Sequence, residues 1–281
     1  MKKETAHLEK IMEDCNRKAK VFAITSGKGG VGKTNISANL ALCMAASHKK
    51  VLLVDADFSL GNLDLIMNIN SKYNISHMID GGRSLEQITH VGYEGVEVIC
   101  ASSGMEQLAD LGEFKRQRLL NELSNLSNNA DTIIIDTAAG ISQSVIAFCL
   151  ASDHTLIVTT PEPTAMTDAY SMIKVLVKNN FKGRMSLVVN MAETLEEGKK
   201  AYQQMANVTN RFLSTHLYDA GVILKDEKLT ASVKQRKPVV LAYPKAKITA
   251  SIAALAGKLN KGAVVRQHEE GFFNKVVNWF F

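Results

Sequence analysis

The densest chemistry in the sequence lies in eight residues, Gly27-Lys28-Gly29-Gly30-Val31-Gly32-Lys33-Thr34. They follow an apolar run, Val21–Thr25, and open a segment with helical periodicity. Glycines at this density let the backbone turn tightly, so that several N–H groups face one anion. The first turn of the following helix adds its positive dipole end. A lysine and a hydroxyl closing such a loop suit a nucleoside triphosphate: Lys33 reaches the β- and γ-phosphates, and the Thr34 hydroxyl holds Mg²⁺. Gly29, Gly30, Val31, Gly32, Lys33, Thr34 and Asn35 are therefore the candidate nucleotide-binding residues, with ATP or ADP as ligand.

Two more strand ends carry carboxylates. Val51–Val54 runs into Asp55-Ala56-Asp57, and Thr132–Ile135 runs into Asp136-Thr137-Ala138-Ala139-Gly140. Carboxylates at the C-terminal ends of strands beside a phosphate loop can hold Mg²⁺ or position a nucleophile. Asp136, closing an apolar strand, has the magnesium-holding form, so Thr34, Asp55 and Asp136 form the candidate metal set. Gly140 gives the next loop the freedom needed to sense a γ-phosphate. Asn62 and Asp64 read as shaping the loop after Asp57. At the end of Leu187–Val189, Asn190 offers both a donor and an acceptor to a purine edge.

The elements that must position these groups are legible as alternating short apolar runs and helical patterns. The runs are Val21–Thr25, Val51–Val54, Val96–Ile99, Thr132–Ile135, Thr155–Thr159, Leu187–Val189 and Val222–Leu224. Most are continuous, as expected of strands buried on both faces. Helical spacing marks Asn35–Ala46, Phe114–Leu126, Ala165–Lys178 and Lys199–Phe212. This predicts an α/β fold: a doubly wound, mostly parallel sheet with right-handed crossovers, carrying a nucleotide loop. One domain over residues 20–262 is flanked by a charged N-terminal segment, 1–19, and a C-terminal tail, 263–281.

The 281 residues are 46% hydrophobic and 22% charged, ordinary for a globular domain with a sizeable core, and the net charge is +5. No lysine or arginine run resembles a nucleic-acid-binding arm, so no direct nucleic acid contact is expected. Cys15, Cys43, Cys100 and Cys149 are widely spaced with no CxxC pair and read as reduced thiols. The charged first twenty residues do not read as a signal peptide. No apolar stretch approaches the ~18–20 residues of a spanning helix. The expected location is cytoplasmic.

The tail, Gly271 to Phe281, has a second kind of chemistry. On a helix Phe272, Phe273, Val276, Val277 and Phe280 share one face, and Trp279, the chain's one tryptophan, lies among them. Too short to span a bilayer, such a segment suits an interfacial helix on an anionic membrane surface. Each large side chain buried there contributes roughly 1.5–3 kcal/mol before ordering costs. One copy should bind weakly, and two on a dimer more tightly. The alternative is that the tail folds back on its own domain. Both hold if it docks in the monomer and is released in the dimer, leaving the protein reversibly peripheral at the inner face of the cell membrane.

Lys28 is not needed to cradle phosphate from within one chain. With it, the loop resembles the deviant Walker A family, including MinD and ParA, whose motif reads KGGVGKT/S. That resemblance implies that Lys28 reaches across an ATP-bound homodimer to the partner's nucleotide, making slow hydrolysis dimer-dependent. It also implies that Asp57, in a DADxxxxNLD pattern, orients the attacking water. Lys28, Lys33 and Asp57 are thus the candidate catalytic residues. Relatives often place Arg after the base-pocket Asn and Ile-Pro near the last strand; this chain has Met191 and Ile223-Leu224.

Within that family, Asp136 to Ser142, Pro161-Glu162-Pro163-Thr164 with Thr167-Asp168-Ala169-Tyr170, and Val233 to Pro244 resemble the FlhG (FleN/YlxH) regulators of flagellar number. The resemblance implies a switch ATPase acting with the GTPase FlhF, and with flagellar switch-ring proteins or a flagellar transcription regulator. The FlhF-stimulating N-terminal motif is degenerate here, Glu4-Thr5-Ala6-His7-Leu8-Glu9-Lys10, although Leu8, Ile11, Met12 and Cys15 could form a short amphipathic helix. A MinD-type division-site protein shares the chemistry, and the segment from Glu162-Pro163-Thr164 to Tyr170, where MinD relatives usually differ, argues against it. A ParA-type segregation protein would need a basic surface and no aromatic tail. Nitrogenase-type reductases or chelatase subunits would need cluster-ligating cysteines or a substrate site.

Overall fold

The computed structural model describes residues 19–57, 61–74, 77, 82–100, 129–262, 272, 275 and 276. The expected helix Phe114–Leu126, the N-terminal motif, and Phe273, Val277, Trp279 and Phe280 of the tail lie outside these residues. Eight strands form one sheet in the order β3-β4-β2-β5-β1-β6-β7-β8. They are β1 Lys20–Ser26, β2 Val51–Ala56, β3 Thr89–Val91, β4 Glu97–Ile99, β5 Thr132–Ala139, β6 His154–Thr159, β7 Arg184–Ala192 and β8 Tyr218–Leu224. Every pairing is parallel except β3 with β4.

Strand alternation splits the core. Phe22, Ile24, Leu53, Ile134, Leu156 and Val188 pack on one face of the sheet. That face is covered by α1 (Lys33–Ala45), α8 (Val239–Ala242) and α9 (Lys247–Gly262), with α2 (Leu63–Met67) and α7 (Glu227–Lys234) beside them. The alternate residues, among them Ala23, Ile133, Ile135, Ile157, Leu187 and Val189, face the other way. There they meet α4 (Gln143–Ala151), α5 (Pro163–Lys178) and α6 (Leu195–Leu213). Helix α1 is buried over most of its surface, from Ile36 to Met44, because the sheet and α9 enclose it. Its apolar residues accordingly follow no single stripe.

The antiparallel edge, β3, is absent from the sequence reading. It has three residues with no alternation, and its Val91 is exposed. A short, polar edge strand of this kind resists pairing with a second chain. Helix α3 (Leu85–Ile88), opened by a Ser84–Gln87 capping box, leads straight into it.

For the tail, the described residues take the folded-back arrangement that the sequence left open beside the membrane-facing one. Phe272 and Val276 are buried in the protein's own core, beside Leu52, Val54, Ile133 and Ile135. The Phe272 ring stacks on Phe148 of α4 at 6.5 Å between centroids. In this state the two side chains are not available to lipid, since removing their apolar surface from water is already accomplished internally. Among the described residues no helix is long and apolar enough to cross a membrane.

Candidate nucleotide site

The phosphate loop joins β1 to α1 and is held in shape from three sides. Gly30 and Gly32 have φ of 79° and 90°, a region that β-carbons disfavour. A side chain on Gly27 would overlap the Asp168 backbone of α5, while around Gly29 and Gly30 the space is open. At the base, the Ser26 hydroxyl donates to the Lys28 carbonyl at 2.8 Å, and the Gly140 N–H donates to the Ser26 carbonyl at 2.9 Å. The Thr137 hydroxyl donates to the Ile24 carbonyl. Lys33 is buried where the helix starts. Thr34 and Asn35 follow in its first turn, half-buried.

The strand pairing brings the carboxylates together. Asp55 and Asp136 are register partners on adjacent parallel strands, β2 and β5. Both are buried. Burial, then the charge of Asp136, raises the Asp55 carboxyl to about 7. Burial also raises Asp136 to about 6, against the opposing influence of the Ser37 and Thr34 hydroxyls and the Lys33 charge. Two like charges confined beside a lysine and two hydroxyls fit a divalent cation, which would relieve their repulsion. The Asp57 N–H donates to Asp55 Oδ1 at 3.0 Å, and the Asp57 side chain stays half-buried at the strand end. Among the described residues no group of three or more His, Cys, Asp or Glu is placed to hold a metal ion.

Ser37 went unnoticed in the sequence. It lies one turn beyond Lys33 on α1, fully buried, and its hydroxyl lies 2.8 Å from Asp136 Oδ1 and 3.1 Å from the Lys33 carbonyl. The signal was its i+4 spacing from Lys33, which puts it on the same helix face as the lysine.

Asn190 is placed at the end of β7, buried, and its Nδ2 donates to the Val31 carbonyl at 2.8 Å. A side chain on Gly32 would collide with that amide. Asn190 therefore bridges the phosphate loop to a cleft of about 570 Å³. Thr160, Glu162, Met191, Leu224, Leu229 and Ile248 line it, among others. Met191 sits in the left-handed region with φ 58°, at a register shift in the β7–β8 pairing. Half-apolar walls and an amide at the mouth suit a purine.

Lys28 is held within its own chain. Its Nζ lies 3.2 Å from Glu162 Oε2 and 3.0 Å from the Thr164 hydroxyl. Both partners belong to the Pro161–Thr164 segment that opens α5, with Pro163 at its first position.

Residues 19–199 match the family model described as an AAA domain. The chain is 36% identical to the antiactivator FleN of Pseudomonas aeruginosa, over 92% of this chain and 93% of that protein. It is 34% identical to the flagellum site-determining protein YlxH of Helicobacter pylori, over 99% of each. The septum site-determining protein MinD of Pyrococcus horikoshii, solved with Mg-ADP, superposes with a TM-score of 0.71 at 24% identity, covering 86% of this chain and 96% of that one. The parallel sheet, the loop between β1 and α1, and these likenesses agree: the chain belongs to the FlhG (FleN/YlxH) group of MinD/ParA-type P-loop ATPases.

Proposed function

We propose that this protein is an ATP-dependent, dimerising switch ATPase that associates with the membrane and regulates flagellar number or placement together with FlhF. The observation that carries the dimer reading is the position of Lys28. Its ammonium is committed to Glu162 and Thr164 at the rim of the cleft rather than to its own phosphate loop. A half-exposed lysine there can be transferred to a second protomer's γ-phosphate, where transition-state charge develops. The names of the FleN and YlxH relatives support the flagellar setting.

In this reading the backbone N–H groups of Gly29 to Thr34 cradle the phosphates, Lys33 neutralises β and γ, and Asn190 presents its amide to the base. Thr34, Asp55 and Asp136 would hold Mg²⁺, which when bound offsets negative charge on the β- and γ-phosphates. Asp57 orients the attacking water from the end of β2. Asp57→Ala should then slow hydrolysis by 10²-fold or more, on the order of a lost general base, while ATP-bound dimers persist in size-exclusion light scattering. Dimers that disappear with this substitution would remove Asp57 from the hydrolytic step.

In this reading Phe272 and Val276, docked in the core here, leave it to reach lipid, and dimerisation shifts that balance. The cellular role is tested by deleting the gene and counting flagella per cell by electron microscopy, with cell lengths measured alongside. Extra or misplaced flagella with normal division are expected. Minicells or filaments with normal flagella would move the protein to division-site control.

A further inference from the structure

The charge of this protein is unevenly distributed. Between Lys228 and Lys261 there are eight cations, Lys228, Lys234, Arg236, Lys237, Lys245, Lys247, Lys258 and Lys261, and no carboxylate. The chain as a whole carries only +5, so everything outside this stretch is net negative. The stretch is α7, α8 and α9, the layer on one face of the sheet. All eight cations are exposed. Only Lys258 has an ion pair among the described residues, with Asp219 at 3.4 Å.

Folding gathers what the sequence spreads out. The Gln235 side chain donates to the Tyr243 hydroxyl at 3.0 Å, which sets the turn bearing Lys234, Arg236 and Lys237 beside the one bearing Lys245 and Lys247. On α9, Lys247, Lys258 and Lys261 stand 11 and 14 residues apart. At 100° per residue they fall within about 60° of one another, along about 21 Å of helix. The α9 positions exposed between them are Ala250, Ala253, Ala254 and Gly257. This side of the molecule is predominantly cationic, with Glu227 at the start of α7 and Asp219 beside Lys258 as acids within it.

We propose that this surface is the electrostatic half of a two-part membrane anchor and docks on anionic lipid headgroups; the inference rests on the membrane reading given above. Two observations favour lipid. The first is continuity: α9 leads into the tail, and the ten-residue step from Gly262 to Phe272 reaches at most about 35 Å, so a tail released from its seat against Phe148 stays within that distance of the end of α9. The second is complementarity. The tail alone is a weak anchor whose own Glu269 and Glu270 oppose anionic lipid. One apolar segment gives marginal, reversible binding, and stable association needs a second, polybasic signal. The α7–α9 layer supplies it.

The test is co-sedimentation of the full-length, ATP-bound protein with phosphatidylcholine vesicles, with and without a third of phosphatidylglycerol. It compares wild type, a Lys245→Gln/Lys247→Gln/Lys261→Gln variant, and a chain lacking Gly271–Phe281. All three substituted lysines are exposed and lie outside the nucleotide site, so the variant should keep its ATPase rate. Each cation near the surface is worth roughly fivefold in binding, so the variant should bind anionic vesicles on the order of a hundredfold more weakly, with binding to neutral vesicles unchanged. Unchanged affinity for anionic vesicles would overturn the proposal while leaving the tail as anchor. Wild type that binds neither vesicle would remove the membrane reading itself, and this surface with it. If the variant instead lost retention of a random-sequence DNA duplex while keeping its vesicle binding, the surface would be a nucleic-acid site and the proposal would be wrong.

Discussion

Asp55 and Asp136 show how much chemistry one register pairing can hold. Parallel pairing of β2 with β5 sets the two carboxyls side by side below the surface, and each is raised, to about 7 and about 6. In the unfolded chain both return to near 3.8. The native state therefore binds more protons than the unfolded state between about pH 4 and 7, and its stability falls as pH rises through that window. Thermal melts of the nucleotide-free protein should show this decline, and Asp55→Asn should flatten it and raise stability at pH 7.5 by about 1–2 kcal/mol. Ser37 makes the complementary prediction. Removing its hydroxyl leaves Asp136 short of a buried donor, a loss of about 1–3 kcal/mol. Ser37→Ala should weaken Mg²⁺-dependent ATP binding in isothermal titration, leave Mg²⁺-free binding nearly untouched, and be restored by Ser37→Thr. The loop residues were legible because glycine spacing leaves a direct mark on the sequence. Ser37 was not, because its partner lies 99 residues away.

At the scale of elements, the seven apolar runs foretold seven of the eight strands, since continuous burial on both faces writes continuous apolar sequence. The missing β3 is paired on one side only and buries little, so hydropathy does not mark it. The start of α5 shows a different limit. Pro161-Glu162-Pro163-Thr164 stood out as a family signature, yet its contact with Lys28 depends on how β6 delivers that segment to the loop. The Lys28–Glu162 pair is exposed on both sides, 42% and 67%, and pairs of this kind are worth at most about 1 kcal/mol. Glu162→Gln combined with Thr164→Val should therefore raise ATP-dependent dimerisation by no more than about fivefold, read by analytical ultracentrifugation across a concentration series. A larger gain would mean that these residues restrain the dimer by more than this contact.

For the whole molecule, the tail ties membrane access to stability. Phe272 and Val276 complete a core cluster that includes Phe148 and the inner faces of β2 and β5. Phe272→Ala should lower the stability of the nucleotide-free protein by up to about 3–5 kcal/mol, the cost of truncating a buried phenylalanine. The loss will be smaller if the tail detaches before the domain unfolds, and hydrogen exchange around Phe148 separates the two cases. The amphipathic pattern of the tail was clear in the sequence. Which surface it covers was not, because an apolar face fits a protein groove and a bilayer equally well.

The Val31–Asn190 hydrogen bond has a consequence for ligand design. It crosses β6 to fasten the end of β7 to the loop that follows β1, and the missing β-carbon of Gly32 makes room for it. The two halves of a nucleotide thus meet one continuous piece of protein rather than two independent pockets. Adenosine and pyrophosphate offered as separate fragments should each help the other to bind, because whichever arrives first steadies the Val31–Asn190 bridge that joins their two sites. Joining the fragments with a linker of natural length would then gain more than the product of their separate affinities suggests, since the joined ligand also collects the help that each half gives the other.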